Sequence, residues 1–328
     1  MPSTPGLYAA SIAFIYGTPE GARKDRGFAA VGLIASVRSR IRSTQRYYYL
    51  VTNEHVVRDL DPIAVRLNSV FGFRFLSIPK GKFQIDKSLD LAITALPEDS
   101  ETSFASISEV VSLKPESVSQ LKIGYGTDVF MVSRVVRKDV RYLQKNIAVL
   151  RFGNIAMPPL YEEPFYLVEM RSVGGHGGSP VFVYPTPFIF GTPRKKEEDF
   201  APMLLGINRG HLEETTEILR DVNGKWSKHP FLRSVTNMAI SQVVPAWHIF
   251  KMLDEKKFRT QRQKADGKLE AEAKIADDQK PGELLTVPKG KKKSIKIDGS
   301  VEVSDMTAEE KALARALMSA IKGSDTGP

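Results

Sequence analysis

The chain has 328 residues, of which 42% are hydrophobic and 26% charged, a composition that excludes wholesale disorder and fibrous repeats. It contains no cysteine, which excludes a disulfide framework, a thiol nucleophile, an iron–sulfur cluster and the usual structural zinc sites. Lysine and arginine outnumber aspartate and glutamate by 47 to 38, and the net charge of +9 favours acidic partners. No apolar run reaches the roughly 18–20 residues of a membrane span, and no basic residue precedes the first apolar segment as in a secretory signal. We therefore expect a cytoplasmic protein with no membrane span.

From Met1 to about Phe250, the sequence predicts short β-strands separated by glycine, proline, asparagine and aspartate. The predicted strands are Ser11–Tyr16, Phe28–Val37, Tyr47–Thr52, Ala64–Leu67, Leu91–Ala95, Val129–Val136, Ile147–Phe152, Phe165–Arg171, Pro180–Tyr184 and Met203–Asn208. Many short strands without alternating long helices favour an all-β barrel or sandwich over a parallel α/β sheet. A helix is predicted to begin at Pro245, because Trp247, Phe250 and Leu253 recur at helical spacing.

Composition predicts how the chain is divided. A stretch rich in serine and glutamate between Glu98 and Lys122 predicts the boundary between two β-units. After about Arg259 aromatic residues disappear, and a segment so poor in apolar side chains cannot offset its ordering entropy by burial. The predicted divisions are a first β-unit over 1–105, an inter-unit linker over 106–122, a second β-unit with a closing helix over 123–258, a flexible charged linker over 259–304 and a terminal helix over 305–323.

The terminal helix is predicted from its cap and its apolar stripe. Thr307 and Glu310 have the spacing of a capping box. The stripe consists of Leu313, Leu317 and Ile321. Such a helix either docks on a partner protein or folds back on the chain's own β-units. The basic window Lys289–Lys296 has no aromatic residue for base stacking, so a solvated linker is favoured over a nucleic-acid site.

Three short sequence segments, called phrases below, carry polar residues at the ends of predicted strands. In YYYLVTNEHVV, His55 lies just beyond a β run, where a histidine alone is more often a turn residue than a base. In SLDLAIT, Asp90 precedes an apolar strand, again a common turn position. In RSVGGHGGSPVFV, four glycines surround His176 and precede Ser179. So many glycines supply positive φ angles and exposed N–H groups, which are the material of an oxyanion hole.

In this order, on an all-β chain, the three phrases resemble the trypsin-like serine peptidases of the chymotrypsin fold. In that family a base histidine follows a strand reading like LVTNEHVV, an aspartate begins a strand reading like DLAI, and the nucleophile lies in a G-x-S-G-[SG]-P loop. The resemblance extends from about Leu7 to Leu253. It implies two six-stranded antiparallel β-barrels with a cleft between them, a C-terminal helix, and endopeptidase activity through an acyl-enzyme, on a protein or peptide substrate and without a cofactor.

The resemblance assigns His55 as the general base and Asp90 as the carboxylate that fixes the histidine tautomer. The backbone N–H groups of Gly175 and Gly177 are assigned to the oxyanion hole. Gly177 itself occupies the nucleophile position, however, and glycine has no side chain that attacks a carbonyl. As written, the chain is therefore expected to be nearly inert as a covalent catalyst.

The resemblance also implies where a substrate would bind. Arg171, at the base of the specificity pocket, would favour acidic substrate side chains, unless it points elsewhere or pairs with a nearby carboxylate. Ser172 lies in the same region. The residues assigned to the substrate-pairing strand are Leu205, Gly206, Ile207 and Asn208.

Three interpretations of Gly177 stay open at this point. The chain is an active peptidase silenced by an engineered serine-to-glycine change, a natural pseudoenzyme kept for binding, or an enzyme that has recruited Ser179. The contrasting function is a non-catalytic peptide-binding or scaffold protein on the same fold. The remaining histidines show no familiar metal-ligand spacing, so no metal is expected; they are His176, His211, His229 and His248.

Overall fold

The computed structural model describes residues 6–69, 72–97, 104–135, 146–160, 164–184, 188–189, 192–193, 202–222 and 225–278. The strands are β1 Ile12–Tyr16, β2 Phe28–Arg38, β3 Arg46–Thr52, β4 Ile63–Ser69, β5 Gly72–Ile78, β6 Gln84–Asp86, β7 Leu91–Ala95, β8 Ile107–Ser108, β9 Asp128–Ser133, β10 Val149–Met157, β11 Tyr166–Glu169, β12 Pro180–Val183, β13 Phe188–Ile189, β14 Thr192–Pro193, β15 Met203–Val222 and β16 Lys225–Pro245. The helices are α1 Gly6–Ala9, α2 Pro19–Lys24, α3 Glu54–Arg58, α4 Pro115–Gln120, α5 Ala246–Leu253 and α6 Lys256–Asp278. No described helix combines the length and apolar character needed to cross a membrane.

The strands form two β-units, which confirms the predicted all-β fold class. In the first unit the hydrogen-bonded order is β5-β4-β1-β2-β3-β7-β6, and β8 pairs parallel to β2. In the second unit β10-β11-β16-β15-β12-β9 form a closed barrel. The expected six strands are found in the second unit, whereas the first has eight because the short β6 and β8 join its sheet.

Alternation of side chains along the strands builds the two faces of the first sheet. In β1, Ala13 and Ile15 point into the core of the first unit, together with Ile34 of β2 and Leu50 of β3. Phe14 and the residues two positions before and after it point to the opposite face of the sheet. Every residue of β1 is buried, because both faces of this strand are covered.

The outward face of the first sheet packs against the second barrel. Phe14 and Val51 of the first unit share one buried cluster with Phe130, Phe182 and Val244 of the second. The Phe130 and Phe182 rings stack with centroids 5.2 Å apart. This shared core fixes the two units against each other, so residues carried by different units can form one site.

A buried ion-pair cluster links the N-terminal region to the second unit. Arg134, which follows β9, donates through Nη1 and Nη2 to the two carboxylate oxygens of Asp25, at 2.6 and 2.8 Å. The Tyr16 hydroxyl donates to the same carboxylate, at 2.5 Å, and Arg66 Nη1 lies 3.8 Å from it. All four side chains are buried, so the charges of this cluster face one another out of contact with bulk water.

The predicted flexible linker beginning at residue 259 is wrong over its first part, since α6 continues to Asp278. The helix is anchored by a few specific contacts, which the overall amino-acid composition of the segment does not reveal. Phe258 is 1% exposed. Asp266 accepts hydrogen bonds from Ser39 Oγ at 2.5 Å and from the Tyr47 hydroxyl at 2.6 Å. The terminal helix predicted over 305–323 and the basic window lie outside the described residues, so they stay predictions.

The predicted inter-unit linker over 106–122 contains secondary structure. β8 belongs to the first sheet, and α4 follows it after a single 3₁₀ turn at Glu109–Val111. β5 and β6 have no counterpart among the predicted strands, and the last strands are longer than predicted. β15 and β16 pair as far as Val222 and Lys225, well beyond the predicted end at Asn208.

Candidate active site

His55 lies in the first turn of α3, directly after β3, and Asp90 lies just before β7. The side chain of Asp90 accepts two hydrogen bonds from His55, one from the ring Nδ1 at 2.8 Å and one from the backbone N–H at 2.9 Å. A carboxylate only accepts, so the proton of a neutral His55 is on Nδ1 and Nε2 is an acceptor. The His55 side chain remains 42% exposed, which leaves Nε2 accessible as a base.

The glycine-rich loop of the second unit lies against the first unit. The carbonyl oxygen of Gly177 accepts the Val31 N–H at 3.0 Å, and the Gly178 N–H donates to the Asn208 carbonyl at 2.8 Å. Gly178 has φ of 75°, and a Cβ there would stand 2.1 Å from the Val31 carbonyl oxygen. Only glycine fits at this position. Because residue 178 has no side chain, the loop packs closely against the first unit, which carries His55.

Gly177 lies directly beside the His55 ring. A Cβ added to Gly177 would stand 3.4 Å from His55 Nε2 and 2.9 Å from Asn53 Oδ1. Gly177 is not among the residues with positive φ, so its backbone accepts an L side chain. The structure therefore brings residue 177 to the distance from the base at which a serine side chain would exchange a proton with it.

Ser179 points away from this arrangement. Its hydroxyl is buried and donates to Ser133 Oγ at 2.9 Å, behind the loop. Recruitment of Ser179 as the nucleophile, one of the three interpretations of Gly177, does not fit this geometry.

The loop also presents backbone donors. The His176 N–H bonds to the Val173 carbonyl at 3.1 Å, and Gly175 has φ of 90°, which describes a type II turn. Within the described part of the chain, neither the Gly175 N–H nor the Gly177 N–H donates a hydrogen bond to another residue. Both donors are therefore free to bind a carbonyl oxygen that becomes negatively charged.

Sequence reasoning missed Arg209, which shares the Asp90 carboxylate with His55. Its Nε lies 3.6 Å from Asp90 Oδ2, and its guanidinium lies over the Phe165 ring at 4.6 Å from the centroid. The residue is the first after the predicted strand, and nothing in the local pattern marks it. Its position adds a fixed positive charge next to the His55–Asp90 pair.

The predicted substrate-pairing strand is misplaced. Its residues are buried, and they already pair with β12 on one side and β16 on the other, as in Gly206 with Val181 and Pro245. A third strand has no free backbone edge there. From Arg209 to His211 the pairing with β12 has ended, and β16 is the only described strand that still pairs, so among the described residues this segment has an open edge beside the loop.

The two predicted pocket residues have different environments. Ser172 is buried, with Oγ accepting from Asn208 Nδ2 at 3.0 Å. Arg171 is exposed and forms no ion pair with any described carboxylate. Burial and the positive charge of Arg171 together lower the pKa of Arg151. The side of the loop that carries Arg171 is therefore rich in positive charge.

His176 supports the loop from behind. It is fully buried, Nε2 donates to the Arg134 carbonyl at 3.1 Å, and Nδ1 accepts the Val173 N–H at 3.3 Å. Burial, with a smaller effect from the Arg151 charge, lowers the pKa of His176 to about 4. His176 is consequently neutral at pH 7.

This lowered pKa predicts a loss of stability in acid. An unfolded chain has its histidine pKa near 6.5, so between pH 6.5 and about 4 it binds a proton that the native state does not. The free energy of unfolding should therefore decrease as the pH is lowered from 6.5 to about 4, by about 3 kcal/mol from His176 alone. Urea unfolding of the unchanged chain and of His176→Gln, which retains a donor and an acceptor, measures the contribution. An equal pH slope in the two proteins would contradict it.

Comparisons with known proteins identify no family for this chain. No protein-family model matches it, and no curated protein matches it either. Among solved structures, it is similar to the MamO protease domain from Magnetospirillum magneticum, with a TM-score of 0.38 and 16% identity over 76% of this chain and 98% of that one. A serine endoprotease from Yersinia pestis gives a TM-score of 0.43 and 14% identity over 79% of this chain and 68% of that one. Tobacco etch virus protease complexed with product gives a TM-score of 0.42 and 11% identity over 79% of this chain and 82% of that one. TM-scores and identities this low establish neither a family nor an activity.

Proposed function

We propose that this chain is a trypsin-like endopeptidase scaffold whose nucleophile position is Gly177, so that the covalent route of peptide hydrolysis is silent. The observation that carries the proposal is the alignment of three residues from two β-units. Asp90 accepts from His55 at 2.8 Å, and the Cβ position of residue 177 is 3.4 Å from the opposite nitrogen of the same ring. A histidine oriented by a carboxylate and facing one loop position is the arrangement that activates a serine hydroxyl.

In this proposal an extended peptide adds to the open edge over 209–211, and its carbonyl oxygen meets the N–H groups of Gly175 and Gly177. Binding needs no side chain at residue 177. The second candidate function, a non-catalytic peptide-binding module, is favoured by Gly177 itself, and the two candidates share one cleft. Replacing Gly177 by serine distinguishes them, because only a silenced peptidase site gains covalent reactivity. The cytoplasmic location stays a prediction.

The charge near the loop gives the proposed cleft a preference. Burial, and after it the nearby positive charge of Arg171, lowers the pKa of Arg151, and no described carboxylate pairs with Arg171. We expect peptides with glutamate or aspartate to bind about tenfold more tightly than matched lysine peptides, the size of one favourable charge contact of about 1.4 kcal/mol. Fluorescence polarisation with labelled peptides measures the ratio.

The Arg171→Ala variant should lose most of this preference, and Arg38→Ala, a change of an exposed arginine on β2, serves as the control. Tighter binding of the lysine peptides by the unchanged chain would contradict an acidic preference.

A further inference from the structure

The side chain of Asn53 has a buried polar atom aimed at the position of the missing nucleophile. Asn53 is fully buried as the residue before α3. Its Nδ2 donates to the Asp90 carbonyl at 3.2 Å, and only the NH₂ end of the amide can do so, which fixes the orientation of the group. Oδ1 is thereby turned to within 2.9 Å of the Cβ position of residue 177 and has no hydrogen-bond partner among the described residues.

The space beside Gly177 therefore lies between two acceptors, Asn53 Oδ1 and His55 Nε2. A buried acceptor without a partner has lost its hydrogen bonds to water without replacement, and a ligand with two donors would remove that cost. Water is such a ligand. If one of its protons is directed to Oδ1 and the other to Nε2, its lone pairs are left to face a substrate carbonyl held by the Gly175 and Gly177 N–H groups.

We propose that this chain hydrolyses activated acyl substrates without an acyl-enzyme, by a water molecule that Asn53 and His55 hold in the place of the serine side chain. The inference rests on the proposed function for the cleft and goes beyond it, since it replaces a silent site by a slow, non-covalent one. Asn53 is the positioning residue for the water and His55 is the general base.

The step balances without any further reactant. The water oxygen forms a bond to the carbonyl carbon as its proton passes to His55 Nε2, and the carbonyl π electrons move to the oxygen that Gly175 and Gly177 bind. The oxyanion then re-forms the carbonyl and expels the leaving group, which either takes the proton from Nε2 or, when it departs as a stable anion, leaves that proton to pass from Nε2 to bulk water. The products are the free acid and the leaving group, and Asp90 stabilises the positively charged imidazole between the two steps.

The experiment compares residue 177 as glycine, alanine and serine, with the p-nitrophenyl ester of acetyl-alanyl-alanine as the substrate. Gly177→Ala places a methyl group 2.9 Å from Asn53 Oδ1, where it crowds a water held between Oδ1 and His55 Nε2, and adds no nucleophile. The unchanged chain should hydrolyse the ester without a burst and without a covalent adduct in its mass spectrum. Gly177→Ala should be at least tenfold slower, and Gly177→Ser should react through an adduct.

Two further variants test the roles of the groups that hold the water. His55→Ala should lose about 10²-fold in kcat, the lower end for a general base. Asn53→Ala should lower kcat by about tenfold or more with KM unchanged, because misplacing the water affects the reaction and not substrate binding. Urea unfolding of each variant separates a loss of folding from a loss of positioning.

Equal rates for glycine and alanine at residue 177, or hydrolysis unaffected by His55→Ala, would overturn the inference. The His55→Ala comparison decides it even if the alanine variant does not fold. If Gly177→Ser forms an adduct while the unchanged chain and Gly177→Ala hydrolyse the ester at equal rates, only the water route is wrong. If Gly177→Ser is also inert, the proposed function fails with it.

Discussion

Replacing Gly177 by serine should raise peptide hydrolysis by about 10³-fold or more, because serine and histidine act as a unit and loss of the nucleophile removes most of the rate. The introduced Cβ would stand 3.4 Å from His55 Nε2, so a hydroxyl one bond further reaches hydrogen-bond distance of that nitrogen. Asn53 Oδ1 must shift by a few tenths of an ångström, since its distance from the Cβ is 2.9 Å. Cleavage of an unstructured protein such as casein, followed by gel electrophoresis, measures the gain.

Gly177→Ala is the matched control, since it adds the same Cβ without the hydroxyl and should cleave no casein. His55→Ala in the Gly177→Ser background should abolish the gain. A folded Gly177→Ser variant that cleaves no faster than Gly177→Ala would contradict the assignment of residue 177 as the nucleophile position.

Replacing Asp25 by alanine should destabilise the fold by about 3–5 kcal/mol, the cost of leaving buried charges without their partner. Asp25 accepts two hydrogen bonds from Arg134 and one from Tyr16, and all three side chains are buried. The carbonyl of Arg134 also accepts from His176, so the loop that carries Gly177 is expected to loosen with the cluster. Urea unfolding at pH 7 measures the free energy.

An exposed ion pair on α2 provides the control for this change. Lys24 Nζ lies 2.6 Å from Glu20 Oε1, with both side chains more than half exposed. Solvent screens such a pair, so Glu20→Ala should leave the unfolding free energy nearly unchanged. A cost of the same size for Asp25→Ala would show that the buried cluster does not contribute as its geometry indicates.

The strands that sequence analysis found are those with dense β-branched and aromatic residues, such as β1 and β3. Their alternation reflects burial on a pleated sheet, which a local pattern records. The distal parts of β15 and β16 were missed because their side chains, such as Trp226 and Phe231, are exposed and follow no simple alternation. The hydrogen bonds of this hairpin, and not burial, define its strands.

The candidate site was predictable in part, for a similar reason. His55, Asp90 and Gly177 stand in phrases whose order and flanking strands mark them. Arg209 and Asn53 do not, because their contacts with Asp90 and with the space beside Gly177 arise only when the two β-units pack together. The proposed peptide-binding edge lies a few residues beyond the strand predicted from the sequence, because the sequence of one strand does not show which neighbours pair with it on each side.

The most direct test of the account is the mass of the Gly177→Ser variant after incubation with a serine-directed fluorophosphonate. One adduct per chain, mapped by peptide digestion to residue 177 and absent from both the unchanged chain and the His55→Ala, Gly177→Ser double variant, is the predicted result. No adduct on the folded variant, or an adduct mapped to Ser179, would contradict the claim that residue 177 is the nucleophile position of a peptidase site.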